Sequence, residues 1–372
     1  MTRGVSFPAS SRAFRALEPR EEPTLDSRDV SLVFASYLEP EHVERIRAVD
    51  DRLDVRYEPD LLPPPRYPAD HVGAPFERGP ADEATWRSWL ARADILFDFD
   101  RANLETLPDL APRLRWVQAT SAGIGQLVAR HRYAERMPDT VFTTASGVHA
   151  QPLAEFCLLS MTALSRGLPK LSRDQRAKRW ERFAGTDLEG RTLLIYGHGS
   201  IGARVGRAAR ALGMYVIGIK RSVEGQDAES LDADELHATG ALEEHLHRAD
   251  FLVLAAPHTP ETEHVIGREA LALLPPGAVL INVGRGSLVD EPALVAALRS
   301  GHLGGASLDV FEEEPLPASS PLWEMPNVIV SPHSAGTSDR ENERITSLFC
   351  DNLRRFLEGE PLLNVLDPKR RY

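Results

Sequence analysis

Cysteine is scarce in this sequence, and positive charge is outnumbered by negative charge. Its two cysteines, Cys157 and Cys350, lie in apolar, helix-like segments without the spacing of a metal site. This argues against a disulfide framework or a metal centre and predicts reduced core thiols. Lysine and arginine number 43 against 55 aspartates and glutamates, which gives a net charge of −12. Because no basic stripe alternates with aromatic residues, we expect no nucleic-acid partner.

Long apolar runs are absent as well. No stretch approaches the roughly 18 residues that a membrane-spanning helix requires, and the polar start has no hydrophobic signal core. We therefore expect a cytoplasmic protein without a membrane partner. The 372 residues are 42% hydrophobic, enough for a sizeable core and, at this length, two domains. Residues 1–28, rich in Ser, Pro, Arg and Glu without periodicity, predict a loosely ordered tail.

The first part of the chain contains short β-type apolar runs separated by loop signals. Three successive prolines at 63–65 lie in a Pro-rich stretch, 59–68, that predicts a loop. A helix is predicted over 40–49. The predicted strands cover residues 30–36, 93–99 and 114–119.

From Gln151 onward, a long apolar helix is followed by strands that alternate with helix-length segments. Such alternation implies a parallel sheet with helices on both faces. Ser338 with Glu341 three residues on is a capping-box pattern, which predicts the start of the last helix. Gly359 and Pro361 are expected to end that helix. The predicted strands cover residues 192–196, 215–219, 251–255, 279–283, 306–310 and 328–331.

A predicted strand runs into Gly-His-Gly-Ser-Ile-Gly at 197–202 and then into a helix. This is the dinucleotide-binding fingerprint in the order it requires, although a merely glycine-rich turn is the alternative. The first glycine permits a tight turn, the second lets backbone N–H groups approach a pyrophosphate, and the third allows close helix packing. We expect the cofactor to contact Gly197, Gly199, Ser200, Ile201 and Gly202.

The residues at the end of the second strand of the nucleotide-binding unit predict which nicotinamide cofactor is preferred. About 20 residues after the fingerprint, NAD-binding folds place an acidic residue that binds the ribose hydroxyls. This sequence has Lys220, Arg221 and Ser222 there. Cations and a hydroxyl bind a 2′-phosphate, which a carboxylate would repel, so NADP(H) is the predicted preference, with NAD(H) possible. The alternative is that Glu224 or Asp227 reaches the ribose.

Four segments together resemble a known family. They are GHGSIG (197–202), INVGRGSLVDEPAL (281–294), GASLDVFEEEPLP (305–317) and NVIVSPHSAG (327–336). In this order, the sequence resembles the D-isomer-specific 2-hydroxyacid dehydrogenases, of the glyoxylate/hydroxypyruvate reductase type, from about residue 30 to 366.

The resemblance implies an α/β fold of two domains with the active site in the cleft between them. One is a nucleotide-binding domain with a Rossmann-type, doubly wound parallel sheet, over residues 148–332. The other is a smaller, flavodoxin-like outer domain, split in sequence between residues 29–147 and 333–372.

The resemblance also implies hydride transfer between the cofactor and C2 of a 2-keto or 2-hydroxy acid, with three catalytic residues. Arg285 follows a predicted strand, and its guanidinium fork can bind the substrate carboxylate and polarise the keto oxygen. His333 matches the acid/base residue, which protonates the carbonyl oxygen in reduction. Glu314 matches the carboxylate that pairs with that histidine and stabilises the imidazolium. Taken singly, each is equally typical of a solvated or structural residue.

Further contacts are implied in the same way. A small-residue loop whose N–H groups bind the substrate carboxylate matches Ser121, Ala122 and Gly123, with a simple turn as the alternative. Asp309 matches a residue that contacts the nicotinamide carboxamide, or it serves only the fold of its loop. Pro257 and Val283 are further expected cofactor contacts at strand ends. For His258 a cofactor contact is undecided, whereas His149 is expected to be a hinge residue.

The implied partners are a small 2-keto or 2-hydroxy acid and a second copy of the chain in a homodimer. A second class of function remains open, that of a non-catalytic, cofactor-sensing binding protein with the same fold, like a corepressor. The acidic net charge favours the enzyme.

Overall fold

Two parallel sheets organise the chain. The computed structural model describes residues 29–368, so the predicted tail over residues 1–28 lies outside the described residues. Within this range, the first sheet has five strands in the order β2-β1-β3-β4-β5, which is the flavodoxin-like order. Its strands are β1 (Val30–Phe34), β2 (Leu53–Arg56), β3 (Ile95–Phe97), β4 (Trp116–Gln118) and β5 (Val141–Thr143).

The second sheet has seven strands in the order β12-β11-β10-β9-β6-β7-β8, an extended Rossmann order, and all neighbouring strands are parallel. Its strands are β6 (Thr192–Tyr196), β7 (Tyr215–Lys220), β8 (Glu235–Ala238), β9 (Phe251–Leu254), β10 (Val279–Asn282), β11 (Gly305–Leu308) and β12 (Val328–Val330). The predicted two-domain α/β fold is therefore confirmed.

Helices separate most of the strands. Those before the second sheet are α1 (Pro40–Arg47), α2 (Pro80–Leu90), α3 (Leu107–Leu110), α4 (Gly125–Arg130), α5 (Tyr133–Arg136), α6 (Ala150–Ser165) and α7 (Leu168–Arg176). The later ones are α8 (Ser200–Ala211), α9 (Leu242–Leu246), α10 (Arg268–Leu273), α11 (Glu291–Arg299) and α12 (Glu341–Glu358). Short 3-10 turns lie at Pro59–Leu61, Glu229–Leu231, Thr239–Ala241, Gly286–Leu288 and Pro321–Glu324.

Each sheet has a hydrophobic core on both faces, because successive side chains of a strand point to opposite sides. In β1, Leu32 and Phe34 join the core that contains Phe349 of α12, whereas Val33 joins the core that contains Trp86 of α2. A strand buried on both faces is apolar along most of its length. This is why the central strands were readable as continuous apolar runs.

The chain crosses between the domains twice. After β5 it enters α6, which packs along α8 of the nucleotide-binding domain. After β12 it returns through α12 to the outer domain, where Phe349 stacks on Trp116 with ring centroids 5.0 Å apart. Val365 then forms an antiparallel bridge with Thr143 at the end of β5. The outer domain is thus built from both ends of the described chain, as predicted.

The predicted capping box at Ser338 and Glu341 was wrong. The helix α12 begins at Glu341, and no side chain caps it. Ser338 Oγ accepts a hydrogen bond from Arg344 Nη1 instead, at 3.1 Å. The Glu341 carboxylate bonds to His149 Nε2 at 3.0 Å, a tertiary contact that removes it from its local role. The C-terminal end is as expected, because Gly359 adopts the left-handed conformation with φ of 71°.

Three strands, β2, β5 and β8, are not predicted from the sequence. All three lie at the edge of a sheet. The residues of β2 are only partly buried, and β8 ends on an exposed residue. An edge strand covered less completely by helices carries no continuous apolar run, so its strongest sequence signal is missing.

Both cysteines are buried and unpaired, as expected for core thiols. Burial raises the pKa of the Cys157 thiol in α6 and, less strongly, that of Cys350 in α12. Among residues 29–368, no helix has the length and apolar character needed to cross a membrane.

Candidate active site

The fingerprint loop after β6 has the close contacts that its glycines were expected to allow. Gly197 has a φ of 95°, and a Cβ there would lie 2.4 Å from the backbone nitrogen of Ala256. At Gly202, a Cβ would lie 3.0 Å from the Gly197 carbonyl oxygen. A Cβ at Gly199 would meet no atom within 4 Å, so the loop is open at that point.

The N-terminus of α8 completes this cradle. The helix begins at Ser200, and the first N–H groups of a helix have no partner within it. Ser200 is exposed and Ile201 partly exposed. Open space beside Gly199 and unpaired N–H groups at a positive helix end fit the pyrophosphate of a dinucleotide.

His198, inside the fingerprint, has a role that the sequence did not reveal. The residue is 1% exposed, and its Nε2 lies 2.7 Å from the carbonyl oxygen of Leu231. Burial lowers the pKa of the ring, so His198 is neutral and donates this hydrogen bond. The contact ties the segment after β7 to the cofactor loop. Because His198 occupies a variable position of the fingerprint, the sequence gave no sign of this hydrogen bond.

The residues expected to select the cofactor stand directly at the end of β7. Lys220 is its last residue, and its ammonium donates to Gln226 Oε1 at 2.6 Å. Arg221 and Ser222 follow on the exposed surface. The competing Asp227 accepts a hydrogen bond from the Ser230 N–H at 2.9 Å, so its carboxylate is engaged in its own turn.

Arg285 lies in a tight turn after β10. Asn282, which is buried, holds the turn by donating to the Arg285 carbonyl at 2.9 Å and accepting from the Gly284 N–H at 3.1 Å. At Gly286 a Cβ would lie 1.9 Å from the Phe311 carbonyl, so only glycine lets these two loops meet. Burial lowers the pKa of the Arg285 guanidinium, and the Glu314 charge opposes this shift. The guanidinium is thus a partly dehydrated cation.

His333 and Glu314 form a hydrogen-bonded pair. Nδ1 of His333 lies 2.7 Å from Oε2 of Glu314, and the Phe311 N–H donates to the other carboxylate oxygen at 3.0 Å. Burial acts to raise the pKa of Glu314, but the hydrogen bonds from His333 and Phe311 outweigh it, so the pKa is lowered. With Nδ1 engaged and half of the His333 side chain exposed, Nε2 is the nitrogen that can reach a substrate.

Asp309 builds the loop that carries His333. Its Oδ1 accepts from the Ser331 hydroxyl at 2.6 Å and from the N–H groups of Ser334 and Ala335 at 2.9 and 3.0 Å. Its carbonyl accepts from the His333 N–H at 2.9 Å, and His333 has a φ of 55°. This is the loop-folding role considered for Asp309, and a contact with the nicotinamide carboxamide stays a prediction.

The small-residue loop 121–123 follows β4 and reaches Arg285 from the outer domain. A Cβ on Gly123 would lie 1.5 Å from Nη2 of Arg285, so the guanidinium lies directly against the Gly123 backbone. Within the described part of the chain, the N–H groups of Ser121, Ala122 and Gly123 donate to no acceptor. Free N–H groups beside a guanidinium can bind a carboxylate.

The other predicted residues fall into two groups. Pro257 and Val283 follow β9 and β10, on the same sheet edge as Arg285. His149 lies before α6 and bonds to Glu341 of α12, so it joins the two crossings between the domains, and a hinge role stays a prediction.

One cluster in the described residues has metal-type side chains, namely Glu235, His237 and His245. The Glu235 carboxylate accepts hydrogen bonds from Arg248, Tyr215 and His237. A carboxylate with these partners and a guanidinium beside it is a salt-bridge network. That the protein binds no metal stays a prediction.

Comparison with known proteins agrees with this geometry. The family model for the NAD binding domain of D-isomer specific 2-hydroxyacid dehydrogenases matches residues 158–335. The glyoxylate reductase of Aeropyrum pernix is 34% identical over 299 residues, which cover 77% of this chain and 87% of that protein. The D-3-phosphoglycerate dehydrogenase of Methanocaldococcus jannaschii is 36% identical over 217 residues, 58% of this chain but 41% of that longer protein.

A solved structure is similar over nearly the whole length. The D-isomer specific 2-hydroxyacid dehydrogenase of Xanthobacter autotrophicus Py2, in complex with NADPH and MES, is 32% identical with a TM-score of 0.73. The match covers 92% of this chain and 100% of that one. The ordered motifs, the two parallel sheets and these relatives agree, and the chain belongs to the D-isomer specific 2-hydroxyacid dehydrogenase family.

Proposed function

We propose that this NAD(P)-dependent dehydrogenase reduces a small 2-keto acid of the glyoxylate or hydroxypyruvate type, with NADPH preferred, through Arg285, Glu314 and His333. The observation that carries the assignment is the 2.7 Å pair of His333 and Glu314, to which Arg285 is electrostatically coupled. A cation, an acid/base pair and free N–H groups at one cleft are the parts that keto-acid reduction requires.

The protein's own groups divide the work as follows. The N–H groups of loop 121–123 and the Arg285 guanidinium hold the substrate carboxylate, and the guanidinium polarises the keto oxygen. Nε2 of His333 gives a proton to that oxygen, while Glu314 fixes the ring through Nδ1 and stabilises its positive charge. The bound nicotinamide would supply the hydride that C2 accepts. In the oxidation direction His333 takes the proton back.

The substrate class is supported by the names of similar proteins. The similar proteins of Aeropyrum pernix and Thermococcus gammatolerans are glyoxylate reductases. The alternative of a non-catalytic, cofactor-sensing binding protein finds no counterpart among these relatives, whose names are those of enzymes.

The cofactor preference is supported by charge. Lys220, Arg221 and Ser222 stand at the end of β7, where a 2′-phosphate would lie, and Asp227 is held in its own turn. The Xanthobacter structure contains NADPH. Asp309, Pro257 and Val283 would complete the contacts to the nicotinamide half of the cofactor.

A panel of keto acids tested with NADPH and NADH checks both parts of this proposal. Glyoxylate, hydroxypyruvate, pyruvate and longer 2-keto acids would be compared by kcat/KM. We expect the highest values with a small acid and NADPH. Failure to reduce any acid with either cofactor would refute the enzymatic proposal, and a clear NADH preference would refute the role of Lys220 and Arg221.

A homodimer formed through the nucleotide-binding domain is a further part of the proposal. Between residues 159 and 183, α6, α7 and the segment after α7 leave large apolar side chains exposed, and Trp180 is 96% exposed. Exposed apolar residues in such number favour a protein interface. The exposed residues are Leu159, Leu168, Leu171, Trp180 and Phe183.

Sedimentation of Trp180→Ser tests the dimer. We expect the variant to dissociate at concentrations at which the wild type is dimeric, whereas Trp323→Ser, outside this segment, should sediment as the wild type does. A monomeric wild type would refute the dimer.

We further propose domain boundaries at residues 147/148 and 332/333. We also propose a cytoplasmic location, which suits the two unpaired thiols.

A further inference from the structure

A hydrogen bond joins the two domains at the mouth of the cleft. Gln126 lies in the first turn of α4 in the outer domain, and His258 lies in the loop after β9 in the nucleotide-binding domain. Nε2 of Gln126 is 2.6 Å from Nδ1 of His258, across a sequence separation of 132 residues. Neither residue has a part in the proton transfer described above.

The nucleotide-domain side of this contact is fixed in place. Thr262 Oγ1 accepts from the Thr259 N–H at 2.8 Å and donates to the Pro257 carbonyl at 2.9 Å, so the loop on both sides of His258 is closed on itself. Within residues 29–368, the other ring nitrogen of His258, Nε2, is buried without a hydrogen-bond partner. Gln126 therefore supplies the directional contact that orients this ring.

On the outer-domain side, Gln126 is close in sequence to loop 121–123. Gln126 is three residues after Gly123, whose backbone lies against the Arg285 guanidinium. Ser121 is held at the other end of the loop, where its carbonyl accepts from the Ala145 N–H at 3.0 Å. A loop tied at both ends keeps its free N–H groups at a defined distance from the guanidinium.

We propose that Gln126 and His258 form an interdomain clasp that holds loop 121–123 against Arg285 and so sets the affinity for the carboxylate of the substrate. The inference rests on the proposed role of that loop and of Arg285. Gln126 and His258 act as positioning residues through the loop. Because either end of a glutamine amide can face the ring, the contact is available to both tautomers of His258.

Removing the hydrogen bond while keeping the side-chain length tests the clasp. In Gln126→Met we expect the KM for the keto acid to rise about fivefold, with kcat within about twofold of the wild type. Gln126→Glu should restore a low KM, since a carboxylate accepts a hydrogen bond from Nδ1–H of the other tautomer. Gln126 is exposed, so these variants should unfold at the wild-type temperature.

The partner residue gives the reciprocal test. His258→Leu should raise the KM by a similar factor, and His258→Asn, whose amide lies close to the position of Nδ1, should restore it. The double variant Gln126→Met/His258→Leu should be no worse than either single variant, because both remove the same contact. Fully additive effects, or an unchanged KM in Gln126→Met, would overturn the proposal.

Two binding measurements separate the clasp from other roles. The Kd for NADPH, from fluorescence titration, should be unchanged in all four single variants. A weaker Kd in His258→Leu but not in Gln126→Met would show a cofactor contact and overturn the clasp. The Kd for oxalate, an unreactive analogue of glyoxylate, should rise about fivefold in Gln126→Met saturated with NADPH. This readout needs no turnover, so failure of the clasp is distinguishable from failure of the proposed reaction.

Discussion

The two domains contribute to the cleft in different chemical forms. The nucleotide-binding domain supplies charged side chains, Arg285, Glu314 and His333, each from a loop at a strand end. The outer domain supplies backbone N–H groups from the small residues of loop 121–123. Charged side chains can be identified from the residue types alone, whereas the direction of backbone N–H groups depends on the conformation of the chain. The difference explains why one half of the site is more readable from sequence than the other.

The strongest test of the side-chain half is His333→Ala. We expect turnover to fall about 1,000-fold, since a positioned acid/base group contributes a factor of this order, while NADPH binding is retained. His264→Ala is a matched control, because His264 is also half-exposed and pairs with a carboxylate, Glu312, at 2.8 Å. Equal effects of the two substitutions would contradict the assignment of His333. Stopped-flow absorbance of NADPH measures the turnover.

Gly123→Ala tests the backbone half. The new Cβ would displace the flexible tip of Arg285, so the fold should survive while kcat/KM falls about 100-fold through misplacement of the guanidinium. Gly79→Ala, where a Cβ would meet its nearest atom at 3.8 Å, is the matched control. A wild-type kcat/KM in Gly123→Ala would show that the outer-domain loop does not position the Arg285 guanidinium. The outer domain would then contribute nothing to the site through its backbone.

A double substitution, Lys220→Ser with Arg221→Ser, asks whether cofactor selection at the end of β7 also works through side-chain charge. The ratio of kcat/KM with NADPH to that with NADH should fall about 30-fold, because charge-assisted bonds to the 2′-phosphate are lost, though partly screened by solvent. Arg354→Ala, an exposed arginine of α12, should leave the ratio unchanged. An unchanged ratio in the double variant would show that the side chains of Lys220 and Arg221 do not select the cofactor.

Among these four tests of the site, the smallest effect is expected for Glu314→Gln, about tenfold in kcat for reduction, because the amide keeps a hydrogen bond to His333 but loses the charge. The lowered pKa of Glu314 keeps this carboxylate charged at neutral pH, and its contribution is lost as pH falls through that lowered pKa. Because the amide carries no charge at any pH, the variant should lack the acid-side loss of kcat that protonation of Glu314 causes in the wild type. Superimposable kcat/KM pH profiles for the two proteins would argue against the pair.

Much of the fold was readable because the central strands are buried on both faces. Strands such as β3 and β9 carry uninterrupted apolar runs, and their bounds differ from the predicted ones by only one or two residues. The edge strands β2 and β8 have partly exposed residues and gave no such signal. The capping box at Ser338 failed because Glu341 bonds to His149, a residue 192 positions away.

The sequence by itself determined the central strands, the glycine-rich loop after β6 and the identity of the charged groups, because local patterning and residue type carry that information. Only the tertiary structure decided which groups meet across the cleft. The contact of Gly123 with Arg285 and the hydrogen bond between Gln126 and His258 join residues that are far apart in the chain. Such contacts follow from how the two domains are set together, and no local pattern of residues encodes that arrangement.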